Sequence, residues 1–217
     1  MIHRVQAESL QDILDFYIDW LMVQTIFELA ARPEYVLPLR EEIRTCVEEQ
    51  GGFTKDGLNA MHKLDSFIRE AQRWNPLDAG SMARRVMKPF TFKNGVHLRQ
   101  GDWIFTPNSP LLEEDRFYDD ASRFDGFRFA RMREDPRLKL SCALTSTSEY
   151  NLQFGDGKHT CPGRFMASDE IKLMIAFFVM NYDVAFENMG SRPPNVTIGK
   201  FIFPDTGANV WVRPAKT

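Results

Sequence analysis

Helix-period apolar spacing in this 217-residue chain is cut at Arg32-Pro33, Gly51-Gly52 and Asn75-Pro76, and does not resume until Pro162. A proline cannot sit in a helix interior and pushes the residue before it out of the helical region. Glycine supplies the left-handed residue that closes a helix. The spacing therefore predicts a helix from Glu8 to Ala31, with Leu10, Ile13, Leu14, Tyr17 and Leu21 on its apolar stripe and Asp12, Asp15 and Asp19 opposite. A second helix runs from Glu34 to Gln50, with Pro33 opening it and Gly51-Gly52 ending it. A third runs from Thr54 to Arg73 and carries Leu58, Met61, Leu64, Phe67, Ile68 and Ala71 at helical spacing.

Beyond Pro76 the texture changes. Ser81 to Pro107 falls into short runs broken by Asn94-Gly95 and Gln100-Gly101-Asp102, which predicts a small antiparallel sheet. Asn108 to Tyr150 has little periodicity and reads as a long, packed, irregular segment. A helix from Pro162 to Asn181 follows, its buried face made of Ala167, Ile171, Met174, Ile175 and Phe178. Val184–Phe186, Thr197–Phe203 and Asn209–Val212 read as closing strands. The expected fold is mainly α with a small antiparallel β component.

Composition excludes several classes. With 43% hydrophobic and 26% charged residues the chain can bury a core. A net charge of −3 without a basic stripe speaks against nucleic acid. Cys46, Cys142 and Cys161 form no C-x-x-C pair and leave one over, so a reducing, intracellular setting is expected. The first residues lack the apolar region of a signal peptide. The apolar stretch from Ile13 to Ala31 contains Asp15, Asp19 and Glu28, so no membrane span is expected. The 18 phenylalanines suit an ordinary core or a wall around a flat apolar ligand equally well.

The most informative stretch is Phe154-Gly155-Asp156-Gly157-Lys158-His159-Thr160-Cys161-Pro162-Gly163-Arg164. Gly155 and Gly157 let the backbone turn sharply and approach something closely. Cys161 stands just before a helix expected to open on Pro162, where free amides and the helix dipole favour a thiolate, a good ligand for a borderline metal. Two plainer readings are a small buried thiol and a redox or nucleophilic cysteine. No partner cysteine lies nearby, and no base with its orienting partner accompanies Cys161.

This stretch resembles the cytochrome P-450 haem signature, F-x-x-G-x-x-x-C-x-G, at Phe154, Gly157, Cys161 and Gly163, with His159, Pro162, Arg164 and Phe165 extending the match to its fungal form. Two further landmarks follow in the family's order. Glu70-Ala71-Gln72-Arg73, ahead of Asn75-Pro76, resembles the E-x-x-R helix within residues 54–75, and Phe124-Asp125-Gly126-Phe127-Arg128-Phe129 resembles the segment whose arginine joins it. The resemblance runs from about Leu29 to the end of the chain. It implies a haem-thiolate monooxygenase of fungal type, plausible in secondary metabolism, in which Cys161 is the axial ligand of haem b, iron protoporphyrin IX.

Phe154, Gly157, His159, Gly163 and Arg84 would then be cofactor-binding with Cys161, Phe154 packing over the haem near the sulfur and His159 and Arg84 reaching propionates (Arg85 being the alternative to Arg84). Residues 154–181 become the haem-thiolate loop and proximal helix, and Glu70, Arg73 and Arg128 a structural cluster. A small apolar substrate and a flavin-containing NADPH reductase are the implied partners, the latter docking on a basic face formed by Arg131, Arg133, Arg137, Lys139, Lys158 and Arg164. The family usually resides at the endoplasmic-reticulum membrane. Its chains are about twice as long, so the resemblance also implies a C-terminal portion lacking the N-terminal half, with residues 1–31 an atypical remnant of the distal helix. There the acid-threonine pair is replaced by Leu14-Asp15-Phe16-Tyr17-Ile18-Asp19. No catalytic residue is identifiable on that side, and the alternative reading is an inactive haem-binding relic.

Overall fold

A computed structural model describes residues 10–187 and 191–215, with side chains from Phe16 onward. Expectations on residues 1–9 and on the side chains of Leu10, Asp12, Ile13, Leu14 and Asp15 lie outside the described residues. Helix α1, Leu10–Ala31, is followed by a 3-10 turn at Pro33–Tyr35, which Pro33 opens, and by α2, Val36–Gln50. Gly51 takes the left-handed conformation at φ 66° and ends α2, as its sequence position requires. Tyr17 and Leu21 are buried and Asp19 is exposed, in keeping with the stripe. From Tyr17 to Ala30, however, α1 is buried on most sides, Gln24, Thr25 and Glu28 included.

The run expected as one helix from Thr54 to Arg73 is two, α3 (Lys55–Ala60) and α4 (His62–Trp74). Thr54 caps α3 by accepting from the Gly57 amide at 3.1 Å. The break falls at Met61, φ −74° and ψ 74°, whose side chain is fully buried. Its cause is remote: the Glu42 carboxylate of α2 accepts from the amides of Lys63 at 2.7 Å and Leu64 at 2.9 Å, giving α4 its own N-terminus. The main core lies where α1, α2, α4 and α7 (Arg164–Asn181) meet, around Leu21, Leu39, Ile43, Phe67, Ile171 and Ile175.

Among the described residues the β component is four antiparallel two-stranded pairs. Strand β1 (Gly80–Arg85) pairs with β4 (Trp103–Pro107), and between them β2 (Phe90–Thr91) pairs with β3 (His97–Leu98). The turns fall at Gly95, φ 88°, and Gly101, φ 92°. Strand β5 (Tyr182–Phe186) pairs with β8 (Val210–Pro214), and β6 (Val196–Ile198) with β7 (Phe201–Phe203).

Between Asn108 and Tyr150 only α5 (Asn108–Leu112), α6 (Arg128–Met132) and a 3-10 turn at Lys139–Ser141 are regular. This segment packs around its own small core of Leu112, Tyr118, Ala121, Phe129 and Cys142.

One polar knot ties three distant stretches together. Glu28, buried in α1, accepts from Asn75 Nδ2 at 2.8 Å, pairs with Arg32, and lies 2.7 Å from Arg192 Nε in an ion contact without hydrogen-bond alignment. Asn195 Nδ2 donates to Asn75 Oδ1 at 2.8 Å, and Arg192 Nη2 donates to Asn195 at 2.9 Å and to Gln24. A carboxylate without solvent needs such company.

Helix α7 starts at Arg164, two residues later than expected. Ala167 N reaches Gly163 O at 3.0 Å, leaving Pro162 and Gly163 in the preceding turn. Val179 takes a fully buried place where Met174 and Phe178 are half-buried, and Lys172 is buried as well.

Candidate functional site

The loop before α7 is closed by its own backbone. Cys161 N donates to Phe154 O at 2.7 Å, Thr160 N to Gly157 O at 3.1 Å, and Gly155 N to Leu152 O at 2.9 Å. Gly155 sits at φ 72°, and a Cβ there would stand 3.0 Å from the His159 carbonyl, so only glycine lets the two strands of the loop pass. Gly157 sits at φ 60° with open space around it. The Cys161 amide is thus held by Phe154, not left free at a helix end, and the first helical residue is three positions further on. This corrects the expected placement of Cys161 directly against an opening turn.

Cys161 is half-buried, whereas Cys46 and Cys142 are buried and burial raises both of their thiols above the ordinary range. It faces a cavity of about 360 Å³ that Leu77, Met82, Arg84, Phe154, His159 and Tyr17 help to line. Four of the expected site residues (Cys161, Phe154, His159 and Arg84) therefore come together around one space. Gly157 and Gly163 do not line it; they shape the loop and the turn into α7. A bulge decides between Arg84 and its neighbour. The register of β1 against β4 slips between Ser81 and Arg84, with Met82 at φ 55°. A strand's side chains alternate, so one extra residue changes which arginine faces inward. Arg84 lines the cavity, and Arg85 is exposed opposite Trp103.

Behind the loop, one carboxylate serves two guanidinium groups. Arg73 binds Glu70 through Nε and Nη2, both at 2.8 Å, and Arg128 Nε stands 3.3 Å from each Glu70 oxygen. All three are buried. The excess positive charge is spread over backbone carbonyls: Arg73 Nη1 donates to Leu112 O at 2.6 Å and Ala121 O at 3.0 Å, and Arg128 Nη2 to Arg123 O at 2.8 Å and Asp120 O at 3.1 Å. The irregular 108–128 segment thereby finds partners for polar groups that no ladder satisfies.

The opposite wall is Tyr17 of α1. Its ring lies 5.1 Å from that of Phe154, centroid to centroid, and its hydroxyl accepts from Gln72 of α4. Burial pushes the phenol well above its ordinary range; the Gln72 hydrogen bond opposes this and charge on Cys161 adds to it. The sequence placed Tyr17 on the apolar stripe of the first helix and in the stretch that replaces the acid-threonine pair, and no more. Its contact with Gln72 and Phe154 has no local signal, because it joins three separate elements.

Among the described residues, no group of three or more His, Cys, Asp or Glu side chains could hold a bare metal ion. A metal at Cys161 must bring most of its ligands with it, as iron in a porphyrin does. The donor set fits that group: a sulfur on the wall, a guanidinium and an imidazole for carboxylates, and apolar side chains between. The obstruction is one side chain. A flat macrocycle between two rings needs about 3.5–4 Å on each side, more than the Tyr17–Phe154 contact leaves.

The expected basic face is reduced. Arg131 is paired with Asp125, Arg137 with Asp135 at 2.6 Å, and Arg133, mostly buried, with Asp65 at 3.2 Å and His62 at 3.1 Å. No helix among the described residues is long and apolar enough to cross a membrane.

The cytochrome P-450 family model matches residues 21–211. Cytochrome P-450 monooxygenase terQ of Tolypocladium album is 58% identical over 196 residues, covering 90% of this chain and 35% of that protein. The corresponding ltmQ of Epichloe festucae var. lolii is 55% identical over 89% of this chain and 36% of its own length. Monooxygenase paxQ of Penicillium paxilli is 50% identical over 91% and 38%. The chain thus spans little more than a third of the length of these relatives. Helix-rich, with small antiparallel pairs and the cysteine loop ahead of α7, it belongs to the cytochrome P-450 family.

Proposed function

We propose that this chain is the haem-binding part of a haem-thiolate monooxygenase that inserts one oxygen atom from O2 into a small apolar metabolite of secondary metabolism. The observation that carries the reading is the half-buried Cys161 thiol facing a cavity that it shares with Arg84 and His159. Cys161 holds iron protoporphyrin IX through its sulfur, and Arg84 and His159 pair with the propionate carboxylates. Phe154 covers the sulfur side and keeps water from it. Glu70, Arg73 and Arg128 keep α4 fixed against the 108–128 segment, so that the loop has a rigid backing. Bound through a thiolate, haem supplies the activation of O2 that the reaction needs. The relatives' printed activity, monooxygenase, supports the same reading.

The test is the difference spectrum of haem-supplemented protein, reduced and exposed to CO. A red-shifted Soret band that vanishes in Cys161→Ala, with haem still bound, is the expected result; no such band in the unaltered chain sinks the assignment. The second reading, a haem-binding relic without turnover, rests on the stretch Leu14-Asp15-Phe16-Tyr17-Ile18-Asp19, which carries no acid-threonine pair. It predicts the band but no product when electrons and O2 are supplied.

A flavin-containing NADPH reductase is the proposed electron source, approaching at the endoplasmic-reticulum membrane. Lys63, Arg131, Arg133 and Lys139 line an open cleft of about 690 Å³ with Phe127. Because Arg133 also holds buried Asp65, exposed Lys139 and Lys158 are the residues to reverse. Charge reversal there slows reduction and leaves haem binding intact; an unchanged rate discards the surface.

A further inference from the structure

The guanidinium of Arg133, at the C-terminal end of α6, is held by two hydrogen bonds of unequal kind. Nη2 donates to Asp65 Oδ2 at 3.2 Å and Nη1 to His62 Nδ1 at 3.1 Å. Its buried Nε finds no hydrogen-bond partner among the described residues. The same Asp65 oxygen accepts from the Leu144 amide at 2.9 Å, and Oδ1 lies 3.7 Å from buried Lys172 of α7. A surface imidazole at the start of α4 is thus linked, through Arg133 and Asp65, to the segment that runs from α6 to Leu144. Arginine carries only donors, so Nδ1 must present a lone pair, and an imidazolium has none to offer. A proton on His62 removes the acceptor and puts a second cation beside the guanidinium. We propose that Arg133 is a proton-released tether: it binds α4 while His62 is neutral, and protonation of His62 frees that end and loosens the Arg133–Leu144 segment. The tether does not depend on the haem assignment above.

The surroundings of His62 favour the neutral ring. Burial of part of the ring and the Arg133 charge hold it below the ordinary imidazole range; Asp65 opposes this, and Lys139 and Lys172 add to it. Lys63, Arg131 and Glu134 line the same cleft. From α2, Glu42 accepts from the Lys63 and Leu64 amides, and burial raises its carboxyl. A histidine lowered in the folded state contributes fully above its unfolded value of about 6.5, and the contribution is lost as pH falls through the lowered value. Glu42, being raised, works in the opposite sense, since the cost of burying its charge is relieved as pH falls. Because His62, Arg133 and Lys139 all line the cleft, its charge and shape follow pH in the mildly acidic range.

The experiment is amide hydrogen exchange on the full chain between about pH 8 and about pH 5, the range in which histidine changes charge. Rates are expressed as protection factors, so that the intrinsic pH dependence of exchange cancels, and the His62 ring is titrated by NMR in the same samples. His62→Asn serves as the comparison: it keeps an acceptor near the Nδ1 position and cannot titrate, and Glu42 is common to both proteins. The His62 midpoint is expected below the ordinary value. Protection at Arg133 and Leu144 in the unaltered chain should fall on acidification by about tenfold for each pH unit that separates this midpoint from the unfolded value. His62→Asn should lack that fall. Should the variant fail to fold, the unaltered protein decides, because its Leu144 profile must share the midpoint of the His62 ring. Equal falls in both proteins, protection independent of pH, or a ring that titrates at the ordinary value overturns the tether.

Discussion

Glu70 is shared by two guanidinium groups, so its loss strands both. Burying an unpaired charge is far costlier than the pair is worth, and breaking a buried pair costs roughly 3–5 kcal/mol. Glu70→Ala is therefore expected to lower the unfolding free energy from urea titration by an amount in that range and to loosen the 108–128 segment, whose carbonyls Arg73 and Arg128 hold. Arg73→Lys should also be costly, because an ammonium cannot reproduce the two parallel bonds at 2.8 Å. Limited proteolysis between Asp119 and Arg128 would register both changes. At this scale the sequence was most legible where spacing carries the chemistry: Glu70 and Arg73 are one turn apart, and Cys161 stands in a loop whose glycines announce its turns. It was least legible at Arg84 and Tyr17. The bulge at Met82 leaves no mark in a run such as Ser81-Met82-Ala83-Arg84-Arg85, and Tyr17 is defined by residues 55 and more positions away.

Elements carry a different lesson, because their ends are set from outside. The apolar spacing of Leu58, Met61 and Leu64 passes through the α3–α4 break without interruption. Only Glu42, reaching across from α2 to two amides, makes the break visible. Glu42→Ala should cost about 1–2 kcal/mol, as loss of an N-terminal cap does, and should raise amide exchange at Lys63 and Leu64. The start of α7 was misplaced for the same reason: the Phe154–Cys161 bond closes the loop before Pro162 can begin a helix. Asp183 joins α2 to the β5–β8 pair by accepting from Arg40 at 2.7 Å and Arg213 at 3.3 Å. The Arg40 hydrogen bond and charge, with help from Arg213 and against partial burial, hold this carboxyl below the usual range. A carboxyl lowered in the folded state stabilises fully above the unfolded value of about 3.9 and loses that contribution as pH falls through the lowered one. The stability gap between the unaltered chain and Asp183→Asn should therefore be open at pH 7 and close on acidification, as urea midpoints across pH would record.

Over the whole molecule, the mainly α architecture with a minor antiparallel part was readable from periodicity and punctuation. The packing of residues 108–150 was not, because their hydrogen bonds end on arginines far along the chain. Helix α7 buries one side in the core and leaves Met166, Leu173 and Phe177 exposed along another. Exposed apolar side chains gathered on one helix side of a small protein invite association. The chain alone should self-associate with rising concentration, and Leu173→Glu combined with Phe177→Glu should shift it toward monomer in sedimentation velocity runs. The knot at Glu28 adds a constraint in time. Gln24 and Arg192 are 168 positions apart, and a ribosome adding about 5–20 residues each second takes roughly ten to thirty seconds to cover that distance. Within that interval the nascent Glu28 has Arg32 and, 47 positions on, Asn75 as partners, but not yet Arg192. The clasp can close only once Arg192 and Asn195 have been made, so the order of synthesis makes its completion a late event for α1.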